Sequence, residues 1–145
     1  MTTGLDVFDK TVQETNLWLK EVMVRLGSDD RQLAYRALRA TLHALRDRVG
    51  PQQAVHFAAQ LPMLLRGLYY EGWRLSGSAT KERHLESFLD HVAEEFPGIG
   101  GEAERMVRAV LEAVRNRVDP GEVAKLLEHL PKELRALWPE PARGA

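Results

Sequence analysis

The chain contains at residues 35–69 the sequence YRALRATLHALRDRVGPQQAVHFAAQLPMLLRGLY, and at residues 104–138 a second version of it, ERMVRAVLEAVRNRVDPGEVAKLLEHLPKELRALW. A shift of 69 residues aligns the two stretches without a gap and gives 14 identities in 35 positions. Two unrelated helical segments would not agree so extensively, and internal repeats of this kind are typical of stacked helical units. The sequence therefore predicts an all-α protein of about eight helices, built as two tandem four-helix repeats packed into one globular unit.

Prolines divide both copies into helices at equivalent positions. Pro51 and Pro120 fit the first turn of a helix, where the missing N–H of proline costs no hydrogen bond. Pro62 and Pro131 make a second division, each directly after a leucine, because proline disfavours helical geometry in the residue before it. Each half is thus expected to consist of two longer helices followed by two short ones, with a shorter first helix in the second half.

The first helix is predicted over residues 4–26, because apolar residues there recur at alternating steps of three and four. The stripe consists of Leu5, Phe8, Val12, Thr15, Leu19, Val22 and Leu26. Gly27 is the expected end of this helix. Asp29 and Gln32 have the spacing of a capping box, so the second helix is expected to begin near Asp30.

The predicted boundaries follow from these divisions. Residues 1–74 form the first repeat and residues 81–139 the second, joined by a linker at residues 75–80. Residues 140–145 are expected to form a flexible tail. The leucines of the two copies, Leu42 and Leu111 among them, are expected to bury their side chains in a shared core.

Composition narrows the class of protein. The 145 residues suit one domain, and contents of 44% apolar and 28% charged residues are those of a soluble globular protein. The absence of cysteine excludes disulfides, thiolate metal sites and cysteine nucleophiles. No apolar run approaches the roughly 18 residues of a membrane span. The first ten residues lack the pattern of a signal peptide, so a cytoplasmic location is expected.

Charge alternates along the chain. The net charge is −1, which argues against a general nucleic-acid binder. Residues 1–30 carry three basic and six acidic groups, and residues 31–74 carry seven basic and two acidic groups. Residues 81–104 carry two basic and seven acidic groups, and residues 105–145 carry eight basic and six acidic groups. Two interpretations are open: neighbouring helices attract each other inside the fold, or the basic region between Arg36 and Arg66 receives an anionic partner.

Four runs of sequence carry a resemblance to a known family. They are FDKTVQETN at residues 8–16, WLKE at 18–21, YRALR at 35–39 and LPMLLRGLYYEGW at 61–73. Together they resemble the bacterial family catalogued as a domain of unknown function, DUF2267, over nearly the whole chain. Similar sequences tend to continue after the last run with Asp-Pro-Ser-Gly, whereas this chain has Arg-Leu-Ser-Gly at residues 74–77. The resemblance implies a small helical protein and supplies no catalytic residues.

The segment 66–73 is the first candidate site. It combines three aromatic residues with an arginine and a glutamate, the residue types that protein-binding hot spots use. The candidate residues are Arg66, Tyr69, Tyr70, Glu71 and Trp73. The alternative is that these rings cover the seam between the two halves.

The second candidate site is a basic face of the second helix. Arg39, His43 and Arg46 lie at helical steps of four and three, so their side chains share one face with Arg36. Together with Tyr69 they would line a cleft in which arginines hold an anion by paired hydrogen bonds. The alternative is structural: the arginines lie at the edge of the core and pair with acidic helices.

Catalytic and metal sites lack a supporting pattern. His84 and His91 share a helix face and Glu94 and Glu95 follow, but zinc sites use closer spacings, so no metal and no cofactor is predicted. No serine lies in a strand-turn-helix elbow, so no catalytic residue is assigned. The sequence favours a non-enzymatic protein-interaction module that binds a protein partner or forms a homodimer. The alternative is a protein that binds a small anionic ligand, with or without hydrolysis.

Overall fold

The computed structural model describes residues 2–75 and 84–139. These residues form eight α-helices and one 3₁₀-helix, and no strand occurs among them. The helices are α1 Asp6–Leu26, α2 Arg31–Val49, α3 Pro51–Ala58, α4 Met63–Tyr70, α5 Leu85–Glu94, the 3₁₀-helix Gly100–Glu102, α6 Ala103–Arg117, α7 Pro120–Glu128 and α8 Lys132–Arg135. The all-α prediction is confirmed. The predicted linker, apart from Leu75, and the predicted tail lie outside the described residues.

Helix ends follow the expected local chemistry with one correction. Gly27 ends α1 in the left-handed region, at a φ of 67°, and its N–H points back to carbonyls of the last turn. The cap of α2 is Asp30 and not Asp29: the Asp30 carboxylate accepts a hydrogen bond from the N–H of Leu33 at 3.1 Å. The helix therefore begins at Arg31, one residue later than the spacing of Asp29 and Gln32 indicated.

The duplicated prolines lie at equivalent helix starts. The helices α3 and α7 begin at Pro51 and Pro120, and the helices α4 and α8 begin at Met63 and Lys132, in both cases 69 residues apart. The last helix is the shorter of its pair: it ends at Arg135, and Pro139 lies at the position equivalent to Tyr70, the last residue of α4. The tandem repeat and its boundaries at residues 1–74 and 81–139 remain a prediction from the sequence.

The charge alternation corresponds to helix pairs that cross between the two halves. Helix α1 packs against α6, and helix α2 packs against α5. Arg36 on α2 donates to the carbonyl of Pro97 at 2.9 Å and lies over the ring of Phe96, just after α5. Arg105 on α6, 69 residues later, donates to the carbonyl of Leu26 at 3.1 Å, at the end of α1. Ion pairs join the same helices: Arg39 on α2 pairs with Glu95 after α5 at 3.1 Å, and Arg117 on α6 pairs with Glu21 on α1 at 3.9 Å. These two ion pairs support the interpretation that the acidic and basic segments attract each other inside the fold.

One core joins the helices of both halves. Leu42 and Leu111 are both buried in it, as expected. Helix α1 contributes mainly its C-terminal half, through Trp18, Val22 and Leu26. The first part of its apolar stripe stays exposed, as described below. No described helix has the length and apolar character that crossing a membrane requires.

Candidate functional site

A polar pocket of about 600 Å³ lies between α2, α5 and the residues that follow α4. Five of the eight candidate residues line it: Arg39, His43, Arg46, Glu71 and Trp73. Helical spacing places the first three on one face of α2. The end of α4 brings Glu71 and Trp73 to that face, and α5 closes the opposite side.

Arg39 holds two carboxylates. Its Nη2 donates to Glu71 at 2.6 Å, and its Nη1 donates to Glu95 at 3.1 Å. The hydrogen bond with Glu71 raises the pKa of Arg39 although burial opposes the rise. The same hydrogen bond lowers the pKa of Glu71 below its ordinary value. Both partners therefore remain charged, and the guanidinium links the end of α4 to the end of α5.

His43 is buried with both ring nitrogens engaged. Its Nδ1 lies 2.8 and 2.9 Å from the two carboxylate oxygens of Glu95, and its Nε2 lies 2.8 Å from the carbonyl oxygen of Leu68. Both partners are hydrogen-bond acceptors, so both ring nitrogens of His43 are engaged by groups of the protein. Neither nitrogen is left to accept a proton from a substrate, which argues against a general-base role.

Arg46 is the most deeply buried arginine of the group, with 5% of its surface exposed. Its Nη1 donates to the carbonyls of Tyr69 at 2.8 Å and Glu71 at 3.0 Å. Its Nε donates to Asp47 at 2.8 Å. Burial raises the pKa of Asp47, but the hydrogen bonds from His91 and Arg46 outweigh burial and lower the pKa overall. Arg46 thus fastens the last turn of α4 to α2.

Both arginines of this cluster are paired with carboxylates of the protein. Arg39 binds Glu71 and Glu95, and Arg46 binds Asp47. The arginines that the sequence offered as an anion clamp therefore already hold carboxylates and carbonyls of the protein. Their first role is to connect α2 with α4 and α5.

The remaining three candidates, Arg66, Tyr69 and Tyr70, do not line the pocket. Tyr69 is buried, and its hydroxyl donates to the carbonyl of Ala54 at 2.9 Å; burial raises its pKa. Tyr70 stacks on Trp73, with ring centroids 5.6 Å apart, and both rings pack partly buried against the core. Arg66 donates to carbonyls at the end of α3 and lines a different groove. The segment 66–73 is therefore not one continuous exposed surface.

Sequence reasoning missed the acidic side of the pocket. Asp47, Glu95 and His91 lie in it, and Arg74 and Glu94 complete its rim. The available signal was the opposite charge of the segments that carry α2 and α5. Within the two described ranges, no three His, Asp or Glu side chains come together as a metal site would require.

The fold and the pocket define an all-α protein in which a buried arginine and histidine cluster joins helices from both halves of the chain. The chain belongs to the family described as "Uncharacterized conserved protein (DUF2267)", whose profile matches residues 15–140. This match confirms the resemblance inferred from the sequence. The matched region begins inside α1, so most of the run at residues 8–16 precedes it. No protein with a curated description matches the chain.

Proposed function

We propose that this chain is a non-enzymatic protein-interaction module that binds a second copy of itself through an apolar face of α1 and α4. The apolar face consists of Leu5, Phe8, Val12, Met63 and Leu64, each between 38% and 54% exposed. The N–H of Leu64 donates to the hydroxyl of Thr11 at 2.8 Å, which holds the start of α4 beside α1. This exposed face is the observation that carries the proposal.

The sequence pattern of α1 supports coverage of this face by another chain. Leu5, Phe8 and Val12 begin the same stripe whose later members, Val22 and Leu26, are buried in the core. A stripe with this spacing is typical of a helix that packs along its whole length. Monomeric proteins rarely expose contiguous apolar patches, and patches that they do expose often mark interfaces.

Charge and shape favour a second copy as the partner. A groove of about 570 Å³ runs beside the apolar face, with exposed apolar side chains in its walls and mostly basic groups at its rim. Val7, Leu17 and Met63 form walls, while Lys10, Arg66 and Arg117 outnumber the one lining carboxylate, Glu14. The first turn of α1 carries Asp6 and Asp9 next to its apolar residues. That acidic, apolar end complements the basic groove of another copy.

A two-fold arrangement satisfies both copies at once. Helix α1 supplies both the acidic, apolar N-terminal end and one wall of the groove. In a two-fold dimer, the N-terminal end of α1 from each copy would therefore bind in the groove of the other copy. An interface in which both subunits use the same patch is the commonest form of homodimer. Since basic and acidic groups face each other at its rim, the association should weaken as salt rises.

The proposal is tested by the substitution Phe8→Lys. Light scattering after size exclusion should give twice 16.4 kDa for the wild type and the monomer mass for the variant, because a charge at the centre of the face opposes burial. Val24→Lys is the matched control: Val24 lies on the same helix, is 66% exposed and is outside the face. The control should remain dimeric. A wild type that stays monomeric at high concentration and low salt refutes the proposed dimer.

A second candidate function is the binding of a small anionic ligand in the pocket above Arg39. The size of the pocket and the guanidinium groups of Arg39 and Arg74 in its lining favour this candidate. Hydrolysis has less support: the described lining residues include no serine, threonine, cysteine or lysine, and His43 has no free ring nitrogen. Binding without chemistry is therefore the form of this second candidate that the geometry favours.

A further inference from the structure

We infer that Glu71 is a built-in competitor for the pocket: its carboxylate occupies the place on Arg39 that a small oxyanion ligand would take. This inference rests on the second candidate function, ligand binding in the pocket. A carboxylate on a neighbouring guanidinium occupies the same N–H donors that a bound carboxylate or phosphate ligand would use.

Glu71 is the displaceable one of the two carboxylates on Arg39. Its side chain is 62% exposed and is held by the single guanidinium of Arg39. Glu95 is 28% exposed and is bound by both Arg39 and His43. To replace Glu71, an incoming anion has to break one exposed ion pair. To replace Glu95, it has to displace a more enclosed carboxylate that two side chains bind.

The backbone of Glu71 is fixed independently of its side chain. Its carbonyl accepts a hydrogen bond from Arg46 at 3.0 Å, and its N–H donates to the carbonyl of Gly67 at 3.1 Å. The carboxylate can therefore rotate away from Arg39 while the end of α4 stays in place. Displacement of Glu71 requires a change of rotamer, and no helix has to unfold.

The pocket offers further contacts to an anion that takes this place. Arg74 lines the pocket, is exposed, and has no hydrogen bond or ion pair within the described part of the chain. Trp73 lines the same pocket with its ring partly buried. The geometry thus suits a small oxyanion, carboxylate or phosphate, that carries an apolar ring able to contact Trp73.

The test compares inorganic phosphate, phenylphosphate and phenylacetate as probes, titrated calorimetrically into the full chain. Glu71→Gln removes the competing charge and keeps the size of the side chain, so affinity should rise roughly two- to five-fold, the range that an exposed ion pair allows. Arg74→Gln should weaken binding, and because Arg74 has no described partner its fold should be unaffected. Circular dichroism checks the helical content of each variant.

Glu133→Gln is the matched control. Glu133 is also exposed and hydrogen-bonded, to Nδ1 of His84 at 2.9 Å and to the N–H of Leu85 at 3.1 Å, and it does not line the pocket. If the wild type binds a probe and Glu71→Gln binds it no more tightly, the competitor role is refuted and the pocket function stands. An equal gain in Glu133→Gln also refutes it, because net charge alone would then explain the effect. If no probe binds any variant, both ideas fail. The preferred probe distinguishes a phosphate ligand from a carboxylate ligand.

Discussion

Replacement of Arg46 by alanine should cost about 3–5 kcal/mol of unfolding free energy, a loss typical for one partner of a buried ionic cluster. The substitution leaves the carbonyls of Tyr69 and Glu71 without their donor, and each orphaned buried acceptor costs about 1–3 kcal/mol. It also removes one of two partners from Asp47. For 145 residues, an unfolding entropy of about 2.1 cal/mol/K per residue converts this loss into a melting temperature lower by roughly 10–16 °C.

Arg115→Ala is the control that the chain itself provides. Arg115 is the equivalent of Arg46 in the aligned copy, 69 residues later, but its side chain is only half-buried, and its Nε donates to the exposed Asn116 at 2.9 Å. We expect its loss to cost less than the loss of Arg46, because less of the side chain is buried. Urea unfolding followed by tryptophan fluorescence measures both variants, at a single protein concentration because self-association raises apparent stability. If the two variants lose equal stability, the reasoning from burial is wrong.

Two further substitutions test the electrostatics and the core. Burial raises the pKa of Asp47, but the hydrogen bonds from His91 and Arg46 lower it by more, so the folded-state pKa lies below the unfolded value of about 3.9. The ionised Asp47 therefore stabilises the fold above about pH 3.9, and this stabilisation is lost as the pH falls through the folded-state pKa. Asp47→Asn should therefore reduce the difference between the unfolding free energies at pH 7 and pH 3, measured by urea titration. If the variant shows the same difference as the wild type, the prediction is wrong. Tyr69→Phe should cost about 1–2 kcal/mol, because the carbonyl of Ala54 loses its buried partner. The control Tyr70→Phe should change the unfolding free energy little in the same urea titration. If both variants lose the same unfolding free energy, the buried hydroxyl of Tyr69 does not stabilise the fold.

Local sequence chemistry accounts for most of the helix positions. Pro51 and Pro120 start helices where expected, and Gly27 ends one, because these residues act through their own backbone geometry. The cap at Asp30 shows the limit of such rules: two adjacent aspartates have almost the same pattern, and the backbone path decides which carboxylate reaches the helix.

The candidate site was only half predictable. Helical periodicity places Arg39, His43 and Arg46 on one face of α2, and the structure brings all three into one pocket. The partners of these residues could not be predicted in the same way, because Glu95 lies 56 residues from Arg39 and 52 residues from His43 in the sequence. A pairing across such separations depends on how α5 packs, which periodicity within α2 does not specify.

The sequence by itself determined that this protein is helical, where most of its helices begin to within a residue or two, and which residues share a face, since these properties depend on neighbours within a few positions. Only the tertiary structure decided which copy of a duplicated residue is buried: Arg46 fastens α4 to α2, whereas Arg115 bonds to its exposed neighbour. It also decided that the first half of the α1 stripe stays uncovered. Burial depends on what packs against a residue from elsewhere in the chain, and two similar segments of sequence can meet different neighbours.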